Sequence, residues 1–239
     1  MIKRRAILAG LGTSAAFLSA PAAWARATIQ TSSRGTVSIC DNTGVLTSGV
    51  EGRLSGVADF GLGDMCQLTP DTVEGPYFIC DGVASAREIT GGKPGQPLTV
   101  ALRVVDQTCT PIPGAFVDIW HCDALGFYSG HDIDPDNITA DREALSRTRV
   151  PDLPERFLRG VLATDVDGIA EFDMIYPSFY DSRAIHTHYK VHIGNQAFVT
   201  AQALYPEEFN TQVLAQAPYN TSRSTARILN ANDARVIVE

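Results

Sequence analysis

His188-Tyr-Lys-Val-His-Ile-Gly-Asn-Gln-Ala-Phe-Val-Thr-Ala-Gln-Ala-Leu-Tyr205 is the stretch that settles the class of fold. Two runs, His188–Ile193 and Phe198–Tyr205, carry strand-forming residues on either side of Gly194-Asn195, a turn that joins neighbouring strands. The same grammar extends outward from it. Thr99-Val-Ala-Leu-Arg-Val-Val105 alternates and is β-branched, so it reads as a strand, and Ala115–Trp120 reads as another. Between them, 106–114 holds two prolines and a glycine and reads as a connection. Gly160–Thr164 and Ile169–Ile175 flank Asp165-Val-Asp-Gly168, which reads as a hairpin turn. Residues 129–156 are polar and irregular, long enough for a functional loop. There is no internal repeat. Short strands at this spacing, with 13 prolines, 20 glycines and few Leu/Glu/Lys-rich runs, predict an all-β domain, a sandwich or a barrel.

The ends of the chain read differently. Met1–Ala27 places Lys3, Arg4 and Arg5 before an apolar run, then offers Ala23-Trp-Ala25 or Ala25-Arg-Ala27 as cleavage sites. That is the layout of an export signal, and the paired arginines resemble the twin-arginine type. A membrane-anchoring helix is the other reading, although the run is short for a span. Residues 28–65, rich in Ser, Gly and Thr, read as an arm or linker with room for one short strand, and 66–239 as the domain. Removing 1–27 takes away four cations and no acid, so the formal charge moves from −8 to −12. Such acidity excludes a phosphate-backbone partner, and no stable membrane span is expected after cleavage. It also favours neutral over carboxylated small-molecule substrates. Export to a periplasmic or extracellular space permits disulfides. The five cysteines (Cys40, Cys66, Cys80, Cys109 and Cys122) leave at least one without an intrachain partner. Cys109 with Cys122, and Cys66 with Cys80, are the short staples that spacing suggests.

The chemistry starts at His186-Thr-His188. In a strand, residues i and i+2 face the same way, so two imidazoles can converge on one cation. Alone, H-x-H is a weak signal, because most such pairs are ordinary surface histidines. No carboxylate stands at H-E-x-x-H or facial-triad spacing around the pair, which weakens a zinc-hydrolase reading and an Fe(II) reading. A tyrosine and an arginine lie just upstream, in Tyr180-Asp-Ser-Arg-Ala-Ile-His186. Phenol ionises near pH 10 when free, so it becomes a ligand only for a strongly Lewis-acidic cation, and hard phenolate oxygen suits Fe(III).

Five segments taken in order carry a resemblance. They are Glu74-Gly-Pro-Tyr-Phe78, Val117-Asp-Ile-Trp-His-Cys-Asp-Ala-Leu-Gly-Phe-Tyr-Ser129, Phe157-Leu-Arg-Gly160, Thr164-Asp-Val-Asp-Gly168 and Tyr176-Pro-Ser-Phe-Tyr-Asp-Ser-Arg-Ala-Ile-His-Thr-His188. Together, from about Cys66 to Phe209, they resemble the intradiol ring-cleavage dioxygenases. The resemblance implies a prealbumin-like β-sandwich holding non-haem Fe(III) through Tyr128, Tyr180, His186 and His188. It further implies that Tyr180 is the ligand that leaves as a catecholic substrate chelates, with O2 as co-substrate. Arg183 and Gln202 would stabilise charge on the ring, and Tyr77 would line the substrate mouth. For Gln202 and Tyr77, plain structural roles stay open. His121 and His192 are expected to be structural or to support the ligands, and Cys122 to be a disulfide partner rather than a nucleophile.

The sequence also departs from the family pattern. Ser178, Asp181 and Ile185 stand where glycine and prolines are common, which should leave the 177–185 loop less preset. Only about 38 residues lie between the signal and Cys66, so no counterpart of the helical dimerisation segment of cytoplasmic members is expected, and homo-oligomerisation is left open. Two rival readings are an iron-free, transthyretin-like sandwich that binds an aromatic ligand and a zinc hydrolase built on His186 and His188.

Overall fold

A computed structural model describes residues 36–37, 69–80, 83–138, 150–194 and 196–235. Among these residues eight strands form two sheets. The larger sheet runs in the order β1 (Thr36–Val37), β2 (Val83–Ala84), β5 (Arg159–Ala163), β4 (Phe116–Trp120), β7 (His186–Ile193), β8 (Gln196–Leu204). The smaller sheet pairs β3 (Pro97–Arg103) with β6 (Ile169–Ile175). Among the described residues one α-helix, α1 (Glu207–Leu214), follows the last strand. The expected all-β sandwich is therefore present. Residues 1–27, most of the 28–65 arm, and 139–149 of the long loop lie outside the described residues. The short strand foreseen in the arm is β1.

The sandwich forms because inward positions are apolar at period two. Val100 and Leu102 of β3 meet Ala170, Phe172 and Met174 of β6 in one buried cluster. Val117 and Ile119 of β4, Tyr189 and Val191 of β7, and Val199, Ala201 and Ala203 of β8 close it from the other sheet. Phe172 is fully buried, and truncation to alanine there is expected to cost about 3–5 kcal/mol. On the outer side of the small sheet, Glu171 and Asp173 face solvent-side Arg87, each 2.8 Å from its guanidinium.

Two expectations are corrected. The strands on either side of 165–168 do not pair as a hairpin: β5 joins β4 in the large sheet, whereas β6 joins β3. The turn itself is tight, with Asp165 Oδ1 accepting from Asp167 N and Ile169 N at 2.9 Å, but it carries the chain from one sheet to the other. Gly168 is required there, since its φ is +75° and a Cβ would lie 2.4 Å from Val104 O. Cys109 is disulfide-bonded but not to Cys122, which is a free, buried thiol. Its Sγ donates to Ser178 O at 3.2 Å. Cys80 is disulfide-bonded, and Cys66 lies outside the described residues. The 177–185 loop, where those prolines are missing, is held in the fold by hydrogen bonds. Asp181 N donates to Pro135 O at 2.8 Å, and Arg223 Nη1 donates to Phe179 O at 3.1 Å.

Candidate metal centre

Register alone builds half of the site. On the face of the large sheet turned away from the core, Arg159 of β5, Trp120 of β4, His188 of β7 and Gln202 of β8 stand in one cross-strand row. His186 lies two residues from His188 and faces the same way. The hairpin β7–β8 foreseen from Gly194-Asn195 sets this row, because it fixes His188 opposite Gln202. Three segments cover the face: 73–79, the 122–138 loop and the 176–185 loop. Tyr77, Trp120, Cys122, Tyr128, Ile138 and Tyr180 form a separate buried cluster over it, flanked by Phe78 and Ile133.

Four expected donors converge within that cover. His186 Nε2 lies 3.0 Å from His188 Nε2 and 3.4 Å from Tyr180 Oη. The rings of Tyr128 and Tyr180 meet edge-on at 5.5 Å, and those of Tyr128 and His188 at 6.3 Å. His186 Nδ1 is 2.7 Å from Ala184 O, which makes Nδ1 the donor and turns the Nε2 lone pair inward. Trp120 lies nearly parallel to His188, 4.9 Å away, and fixes that ring's plane. Gly75, at φ +75°, brings bare backbone up to His188, where a Cβ would stand 3.4 Å from Cε1. Tyr77 stacks on Tyr128 at 4.6 Å.

The electrostatics say what the cluster lacks. Burial, and then the neighbouring Tyr180 phenol, holds Tyr128 well above the ordinary phenol range. Burial also raises Tyr180, although Arg183 pulls it back. Burial and then Arg183 push both His186 and His188 well below the usual imidazole value. All four groups are thus neutral, with their polar atoms gathered in one buried place. The Tyr128 hydroxyl and His188 Nδ1 are buried without a hydrogen-bond partner. Two imidazole lone pairs at 3.0 Å repel unless a proton or a cation sits between them. A trivalent cation would satisfy all four at once, and the donor set of two phenols and two imidazoles fits Fe(III). Among the described residues no three His, Cys, Asp or Glu side chains gather into a metal cluster. Among those residues, His186 and His188 are joined by phenols and not by carboxylates.

Arg183 sits at the edge of the donor set. Its Nη1 donates to Tyr180 Oη at 2.9 Å, and its Nη2 donates to Gln202 Oε1. Gln202 is held in turn by Nε2 donating to Val73 O at 2.8 Å. Burial alone would lower the guanidinium's pKa, but Tyr180 and Asp233 outweigh it and the net shift is upward. All seven site residues expected from the sequence are thus in one place.

A family model described as Dioxygenase matches residues 73–210, over half of the chain and the whole of this site. The chain belongs to the intradiol ring-cleavage dioxygenase family. Over 117 residues it is 31% identical to catechol 1,2-dioxygenase 1 of Acinetobacter lwoffii, covering 47% of this chain and 32% of that protein. Over 62 residues it is 39% identical to hydroxyquinol 1,2-dioxygenase of Rhodococcus opacus, covering 25% and 21%. The chain therefore spans about a third or less of these relatives' length. The solved intradiol ring-cleavage dioxygenase from Tetranychus urticae superposes with a TM-score of 0.61 at 30% identity, covering 71% of this chain and 79% of that one.

Two residues that brace this site carry little signal in the sequence. Arg159, fully buried behind Tyr128, donates through Nε to Ser129 Oγ and through Nη2 to Ser129 O, both at 2.9 Å. Its only sequence signal is its place in Phe157-Leu-Arg-Gly160. Asp233 accepts from Arg183 Nε at 2.8 Å, and no pattern near it marks it. His121 is buried and held by Cys122 O at 2.8 Å, and His192 stands at the far end of β7; neither joins the four donors.

Proposed function

We propose that the protein is an Fe(III)-dependent intradiol dioxygenase. It takes a catechol and O2 and cleaves the ring between the two hydroxylated carbons, giving a cis,cis-muconate-type diacid that keeps both oxygen atoms. The observation that carries this reading is the meeting of Tyr128, Tyr180, His186 and His188, neutral and buried, with Arg183 on one phenol. Bound Fe(III) would supply a Lewis-acidic centre that accepts electron density from a chelated catecholate and so opens the ring to O2.

The chain's own residues do the rest. Tyr128 and the two histidines are locked by Tyr77, Trp120 and Ala184 O, so they stay as fixed ligands. Tyr180 is the donor that Arg183 touches; as a phenolate its Oη would take up one of the two catechol protons, and a hydroxide from solvent would take the other. Arg183 Nη1 stays beside that oxygen and stabilises whichever anion replaces it. Arg183 and Gln202 together present a fixed polar edge to negative charge developing on the ring, with no reorganisation during reaction. The aromatic cover of Tyr77 and Trp120 excludes water. Export rests on the signal-like residues 1–27, and the disulfide-bonded Cys80 and Cys109 fit an oxidising compartment. Oxygen uptake with catechol, hydroxyquinol, protocatechuate and chlorocatechols, followed by the ultraviolet spectrum of the product, tests the proposal. Stoichiometric O2 consumption with a muconate-type product supports it, and no uptake with any of them refutes it.

A further inference from the structure

The tail beyond α1 lies outside the family-matched segment, yet it reaches the site. Its Asp233 is fully buried, and its carboxylate is shared three ways. Oδ2 accepts from Arg183 Nε at 2.8 Å and from Ala184 N at 2.9 Å, while Oδ1 accepts from Arg235 N at 3.1 Å. The guanidinium is a flat fork, so fixing its Nε edge also fixes where Nη1 and Nη2 point. Those two nitrogens touch Tyr180 Oη and Gln202 Oε1. Ala184 supplies the carbonyl that orients His186, so the same carboxylate grips both sides of the loop turn. The tail is anchored independently: Arg227 pairs with Glu207 at 2.6 Å, and Asn230 Nδ2 donates to Tyr205 O at 2.7 Å.

We infer that Asp233 is a positioning residue for ring cleavage, aiming Arg183 at Tyr180 and at the substrate edge. The inference rests on the dioxygenase reading above. A buried guanidinium without a counter-charge would be drawn onto the nearest phenolate or catecholate; Asp233 holds it at a set place. In Asp233→Asn one amide oxygen can still accept from Arg183 and Ala184, but the charge is gone and the amide N–H2 faces the Arg235 N–H. Misplacement of a charge-stabilising group by about 1 Å costs up to roughly a hundredfold in rate.

The test compares wild type, D233N, R183M, R183M/D233N and R227Q, all full length and iron-loaded. Expected for D233N are full iron content, a shifted tyrosinate-to-iron absorption band, and a kcat lowered at least roughly tenfold with KM little changed. R183M/D233N should be no slower than R183M, because Asp233 acts through Arg183. R227Q should keep kcat and melt at a lower temperature, since it loosens the tail without touching Asp233. Where D233N fails to fold, D233E keeps the charge but displaces it by one methylene, and a loss of kcat with iron retained is expected. Wild-type kcat in D233N, additive losses in the double variant, or loss of iron from D233N each overturns the inference. A wild type that cleaves no catechol overturns the dioxygenase reading, and the inference with it.

Discussion

The two tyrosines should respond with opposite signs when each is cut to phenylalanine in the iron-free protein. Tyr128 Oη is buried with no hydrogen-bond partner. A buried hydroxyl left unpaired costs about 1–3 kcal/mol, so Tyr128→Phe removes a penalty while keeping the stack on Tyr77. A gain of about 1–2 kcal/mol should raise the melting temperature by about 2–8 °C for a domain of this size. Tyr180 Oη accepts from Arg183 Nη1 at 2.9 Å, and Tyr180→Phe leaves that buried guanidinium N–H unpaired. A loss of about 1.5–3 kcal/mol is expected there, because the bond involves a charged group. With iron bound the pattern changes, since both variants lose a ligand and with it much of the stabilisation that metal binding gives the folded state. The assay is calorimetric melting of chelator-treated protein, repeated after Fe(III) addition. If iron-free Tyr128→Phe melts below wild type, the hydroxyl is not a donor held waiting for a cation, and the reasoning fails.

Other outcomes follow from the same geometry. Arg183→Ala should retain iron and lose turnover, as measured by metal analysis and oxygen uptake; loss of iron there would contradict its placement beside the donor set rather than in it. Burial, only partly offset by the Cys122 carbonyl, depresses His121 to about 4, and burial with Lys190 does the same for His192. Groups held neutral this way give stability that is complete above the unfolded value near 6.5 and lost as pH falls toward 4. For His121 alone the loss should reach about 3 kcal/mol by urea unfolding of the iron-free protein, and a flat profile across that window counts against it. Cys122 is buried, and burial and the nearby Asp123 push its thiol far up, so it should resist iodoacetamide at pH 8 until the protein is unfolded. Rapid labelling of the native protein would show that the thiol is neither buried nor protonated.

What could be seen in the sequence depended on how local the cause was. The β7–β8 hairpin was legible because alternation and Gly194-Asn195 are neighbours in the chain, and it carried His186, His188 and Gln202 into register. Tyr128, Tyr180 and Arg183 came from ordered motifs, whose meaning lies in spacing across many residues. Asp165-Val-Asp-Gly168 misled because its turn chemistry is the same whether the flanking strands pair or diverge. The choice is made at long range, where β5 finds β4 and β6 finds β3. Cys122 misled for a similar reason, since thirteen residues of separation from Cys109 permit a bond but do not say which way the thiols point. Asp233 could not be read at all. An aspartate in a polar tail looks solvated, and only folding shows it fully buried against Arg183.

The central claim is that Tyr128, Tyr180, His186 and His188 form one Fe(III) site. Metal analysis of the purified protein, read together with its visible spectrum, tests this most directly. About one iron per chain with a tyrosinate-to-Fe(III) charge-transfer colour, both lost on chelation and restored by Fe(III), is the expected result. A colourless protein carrying stoichiometric zinc would contradict it.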